Sequence, residues 1–153
     1  MHGSALRTGE ERKADVVAKL TARYADVWVA SAPESGPAHL VPLSLAWDGE
    51  CVIIAVEPSA VTARNIEASK RVRLALGATR DVVMIDAVLD RVVDADKAPA
   101  ELATGYAAQA DWDPRIAGMP FRFYLLRPQR IQAWREADEL TGRTVMSDGV
   151  WHF

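Results

Sequence analysis

Asp48-Gly49 stands between two apolar runs, His39–Trp47 and Cys51–Val56. An Asp-Gly pair supplies the positive φ that a tight β-turn needs, and apolar runs on both sides make it a hairpin. The rest of the chain follows the same logic. Runs rich in Val, Ile, Leu and aromatic residues at 26–32, 71–77, 81–93, 121–128, 130–136 and 144–153 are separated by turn residues. Helical patterns are few. Residues 10–25 place Val16, Val17, Leu20 and Tyr24 at helical spacing behind Glu10 and Glu11. Residues 60–69 and 94–110 read as two further helices, the second capped by Asp94 or Asp96. Strands linked by hairpins, without βα alternation, make a mainly antiparallel sheet. Six or more of them in 153 residues predict a closed barrel with helices packed around it, in the mainly β, α+β class. Residues 1–9 are expected as a tail and 10–153 as one domain.

Half of the residues are apolar, which excludes a disordered chain. The net charge of −3, from 18 basic and 21 acidic residues, argues against a nucleic-acid partner. No apolar run approaches the ~20 residues of a membrane helix. The stretch MHGSALRTGEERK has no apolar core, so no signal peptide is expected. The single cysteine, Cys51, forms no internal disulfide and suits a reducing cytoplasm, where it reads as a small buried hydrophobe.

Catalytic templates are missing. There is no GxSxG, no GxxxxGK[ST] and no GxGxxG. His2, His39 and His152 have no metal-ligand spacing, and His39 reads as a strand-end residue. Asp111 and Asp113 flank Trp112 in an irregular loop, 111–120, where capping a turn before Pro114 is the reading preferred over acid–base work. An enzyme with such a sequence borrows its chemistry from a cofactor.

Two stretches suit a cofactor. In the strand 39–47, Val41, Leu43, Leu45 and Trp47 share one bulky face, while Pro42, Ser44 and Ala46 share a small one against which something flat would lie. The stretch VTARNIEASKRVRLAL (61–76) follows a strand and Pro58, and carries Arg64, Asn65, Arg71 and Arg73. It reads either as a phosphate-binding corner or as a solvated helix with Asn65 holding a turn and the two later arginines on the outside of a strand.

Several motifs, taken in order, resemble one family. GPAHLVPLSLAWDGECVIIAV resembles a Gly-x-Pro, an apolar strand with a central Pro, a W-D-G turn and a second strand. TARNIEASKRVRLAL resembles a K-x-R-N-L-x-x-x-x-R-V-x-L block. LLRPQRIQAWRE resembles a late strand ending in Trp, and ELTGRTVMSDGVW resembles a shared tail. The chain thus resembles the pyridoxamine 5′-phosphate oxidase-like split β-barrels, and more narrowly their flavin- and deazaflavin-dependent oxidoreductases.

That resemblance implies a six- to seven-stranded antiparallel, Greek-key-like barrel with peripheral helices. It implies a homodimer with cofactor sites at the interface, and coenzyme F-420 (a 5-deazaflavin) or FMN as cofactor. Pro42, Leu43 and Ser44 would line the ring, with Ala55, Val56 and Glu57 beside it. Thr62, Arg64 and Asn65 would hold the phosphate, and Trp134 would approach the site of the partner copy. The family's usual Lys is Thr62 here, which removes one charge-assisted hydrogen bond, worth roughly 1.5–3 kcal/mol. The implied activity is hydride transfer to an unsaturated or carbonyl-type small molecule. A non-catalytic module for FMN, haem, a tetrapyrrole or another flat ligand is the alternative. Oxidation of pyridoxamine phosphate ranks last, because oxidases of that type carry a longer basic C-terminal segment.

Overall fold

The computed structural model describes residues 6–153. In chain order its elements are α1 (Gly9–Thr21), β1 (Asp26–Ser31), β2 (His39–Ser44), β3 (Ala46–Trp47), β4 (Val52–Val56), α2 (Val61–Ser69), β5 (Arg71–Ala78), β6 (Asp81–Asp94), α3 (Ala100–Ala110), β7 (Arg122–Trp134), β8 (Thr144–Ser147) and β9 (Val150–Trp151). Every strand pairing is antiparallel. Residue parity decides what is inside. Val27 and Val29 of β1, and Val72, Leu74 and Leu76 of β5, are buried, while their alternate neighbours face outward.

The sheet order is β2-β1-β5-β6-β7-β4-β3, with the β8–β9 hairpin added to β7. The two ends of that path, β2 and β3, are halves of one chain segment, parted only at Leu45. The Leu45 N–H donates to Ala25 O at 3.2 Å, one pair beyond the end of the β1–β2 ladder and in the same register. The backbone itself therefore joins the first strand of the sheet to the last and closes the barrel. Val41, Leu43, Leu45 and Trp47 face its core, as the strand pattern predicts. Val16 and Leu20 of α1, and Ala63 and Ile66 of α2, join the same core. A second apolar layer lies outside the barrel, where Ala103, Tyr106 and Ala110 of α3 cover Ala46, Ile53, Ala55, Phe123 and Leu125.

Three expectations need correction. The run His39–Trp47 is two strands, and only Ala46 and Trp47 form the hairpin with β4. The expected helix 94–110 begins at Ala100. Asp94 stays in the ladder opposite Arg122, and Pro99 pushes Ala98 to an extended ψ of 149°, which blocks an earlier start. The runs 121–128 and 130–136 are a single strand, β7, because Pro128 falls beside a register shift at Asp86/Ala87 where a missing N–H is tolerated. Trp28 is 49% exposed because Val27 and Val29 take the inner face.

Of the segment 1–9, residues 1–5, including His2, lie outside the described residues. Arg7 is bound to Glu139 at 2.6 Å and to Asp15 at 3.0 Å. Thr8 and Glu11 form a capping box that starts α1. Among the described residues, no helix is long and apolar enough to cross a membrane.

Candidate cofactor site

The barrel is split beside the β2–β3 junction. Among the described residues β2 pairs only with β1, and β3 pairs with β4 only through Ala46–Ile53 and Trp47–Val52. Continuing that register sets Ser44 opposite Ala55, Leu43 opposite Val56 and Pro42 opposite Glu57. No ladder forms there, although β2 and β4 remain in contact. Pro42 contributes to this, since proline has no N–H to give a ladder and sits on strand edges. Six of the residues expected to line a ring therefore flank unpaired strand edges. The outer face of β2 is small and open at Pro42 and Ser44, whereas Ala55 is 5% exposed, covered by the α3 layer, and Val56 faces the barrel core.

β4 runs through Glu57 and Pro58 directly into α2. The cap residue of α2, Ala60, offers no side chain to the free N–H groups of the first turn. Thr62 and Asn65 are turned inward, 3% and 7% exposed, while Val61 and Arg64 are outward. Asn65 Nδ2 donates to Ser31 Oγ at 3.2 Å, which ties α2 to the end of β1. Arg64 is exposed and has no carboxylate partner among the described residues. Arg122, opposite Val56, is already engaged: its Nε donates to Asp94 at 3.0 Å and its Nη1 to Glu67 at 3.3 Å. The cation left to meet an external anion at this corner is thus Arg64, beside an uncapped helix start. These features fit a phosphate-bearing ring cofactor.

Trp134 is not brought to this corner within one chain. It ends β7 opposite Val82, whereas Arg122 begins β7 opposite Val56. The Arg143 guanidinium lies 5.6 Å from its ring centre. Trp112 packs edge-on against Tyr106 and Phe121 at 5.9 and 5.1 Å. Asp113 caps a short turn, accepting from Arg115 N at 2.9 Å, and pairs with the Arg115 guanidinium. Arg73 pairs with Asp86 outside the barrel. Cys51 is buried, and burial pushes its thiol up to about 11. Among the described residues no cluster of His, Cys, Asp or Glu is arranged to hold a metal.

Sequence reasoning missed Ser31, Glu67 and Arg122. Each meets its partner only through the fold, and Ser31 lies 34 residues from Asn65. A cation opening a long apolar strand was the sole signal for Arg122.

No protein-family model matches the sequence, and no curated protein matches it. Solved structures match by shape. An F420 reductase superposes with a TM-score of 0.61 at 16% identity, over 74% of this chain and 94% of that one. A heme-binding protein from Mycobacterium smegmatis gives 0.64 at 19% identity, over 95% of this chain and 60% of that one. A pyridoxamine 5′-phosphate oxidase-like protein from Listeria innocua gives 0.62 at 11% identity, over 81% and 98%. The fold is the mainly β split barrel of the pyridoxamine 5′-phosphate oxidase-like type.

Proposed function

We propose that this chain binds a flavin-type cofactor, coenzyme F-420 or FMN, at the split between β2 and β4, and acts as an oxidoreductase on a small unsaturated or carbonyl compound. The observation that carries the reading is a coincidence of place. Unpaired strand edges, able to offer N–H and C=O groups to a flat polar ring, lead straight into an uncapped helix that carries an unengaged arginine. When bound, the reduced cofactor supplies a hydride. The chain's own part is to hold: the Leu43–Ser44 and Ala55–Glu57 backbone meets the ring edge, and Arg64 with the α2 amides meets the phosphate. Two copies with a cofactor site at each side of their contact complete the reading.

Titration with FMN and, separately, with coenzyme F-420, followed by fluorescence, is the test. Arg64→Ala is expected to weaken the phosphate-bearing ligand at least about tenfold, or about 1.4 kcal/mol. Unchanged affinity in that variant removes the phosphate corner. The second reading, a non-catalytic holder of haem or another flat ligand, is favoured by Thr62. That residue is buried and brings no ammonium to the corner. A protein that takes up haemin and neither flavin decides for it.

A further inference from the structure

We propose that the hollow between α3 and the β3–β4 hairpin binds a small organic monocarboxylate with a flat apolar body. The hollow has a volume of about 530 Å³, the size of a small-molecule pocket. Ala46, Ile53 and Tyr106, all buried, form its floor, and Leu102 of α3 forms one wall. Gly105 keeps the hollow open. It lies in the middle of α3, where glycine is a poor helix former, and a Cβ there would meet nothing within 4 Å. No positive φ and no close approach of a neighbouring chain segment requires a glycine at this place.

The cation of the hollow comes from a bulge. Ala46, Ile53, Leu125 and Arg91 are cross-strand partners in one row over β3, β4, β7 and β6. The first three are apolar and buried, and the fourth is an exposed arginine. The β6–β7 ladder slips between Leu89 and Arg91, which leaves Asp90 as the extra residue. Asp90 is taken by the Arg127 guanidinium at 3.2 Å and does not neutralise Arg91. Arg91 lines the hollow and has no carboxylate within ion-pair distance among the described residues. A guanidinium at the end of an apolar row holds a carboxylate by two parallel N–H···O bonds while the body of the ligand lies along the row. Glu101 and Asp48 stand at the same rim, and neither has a cation within ion-pair distance among the described residues. Both oppose a second negative charge. The hollow therefore selects a monoanion over an organic phosphate, which separates it from the phosphate corner at α2. The inference does not rest on the cofactor reading.

Calorimetric titration of the full chain with 2-naphthoate, 2-naphthamide and 2-naphthyl phosphate tests it. Saturable binding of naphthoate is expected, at least about tenfold tighter than that of the amide or the phosphate. Arg91→Gln is expected to bring naphthoate down to the level of the amide. Gly105→Leu fills the hollow with a better helix former, so it is expected to lose naphthoate while its thermal midpoint holds or rises. Arg64→Ala is expected to bind naphthoate as the unaltered chain does. The absence of saturable binding overturns the proposal, as does equal affinity for acid and amide, or naphthoate binding that both hollow variants retain. Loss of naphthoate in Arg64→Ala also overturns it, since the acid then sits at α2. A chain that binds naphthoate in the hollow but neither FMN nor coenzyme F-420 counts against the cofactor reading alone.

Discussion

Tyr124 is fully buried, and its hydroxyl has no hydrogen-bond partner among the described residues. Burial pushes the phenol up to about 12, so it stays protonated. A stranded hydroxyl contributes nothing to offset its lost hydration. Tyr124→Phe is therefore expected to leave the thermal midpoint unchanged or to raise it, by up to about 1 kcal/mol in stability. A lower midpoint shows that the hydroxyl has a partner in solution. Single residues were legible where their neighbours in sequence decide their role. Asp113 capping its own turn and Cys51 as a small hydrophobe are of this kind. Asn65 was not, because its bond to Ser31 exists only once α2 lies against β1.

Elements were legible where helical spacing or β-forming composition speaks locally, as in α1 and β1. They were misread where proline acts through its surroundings: Pro128 is absorbed at a register shift, and Pro99 delays α3. The packing of α1 has its own chemistry. Arg12 is 4% exposed and donates to Ala133 O, Glu139 O and Thr141 O at 3.0, 2.9 and 3.2 Å. Next to it, the Arg7 hydrogen bond brings the Glu139 carboxyl down from its ordinary 4.5 to about 2. A carboxyl with a lower pKa folded than unfolded stabilises the fold above its ordinary pKa, and this is lost as the pH falls toward the folded value. Urea midpoints measured from pH 6 down to pH 3 are expected to fall more steeply for the unaltered protein than for Glu139→Gln. At pH 6 the variant is expected to be weaker by up to about 3 kcal/mol, since Arg7 loses its closest carboxylate and keeps only Asp15 and the more distant Asp81. Parallel curves exclude this pair as the cause.

At the scale of the molecule, β4 binds the two apolar layers into one. Val52, Ile54 and Val56 face the barrel core, while Ile53 and Ala55 face α3. Neither layer is able to melt without exposing the other side of the same strand. Tyr106→Ala, in the α3 layer, is expected to cost about 3 kcal/mol. It should lower the midpoint seen by near- and far-ultraviolet circular dichroism together, and two separated transitions would show independent layers. The barrel was legible in outline from hairpin signals and strand count. The order β2-β1-β5-β6-β7-β4-β3 was not, because long-range pairing leaves no local mark. The unpaired edges of the candidate site were hidden for the same reason, since they exist only relative to strands far away in sequence.

The junction at Leu45 carries a topological consequence. A ring of strands closed only by hydrogen bonds opens and recloses reversibly, and the chain never notices. Here the clasp of the ring is a covalent link of one residue between β2 and β3. One peptide cut at Leu45 would turn the ring into a ribbon with two loose ends. The same cut in the surface loop 111–120 would leave the ring intact.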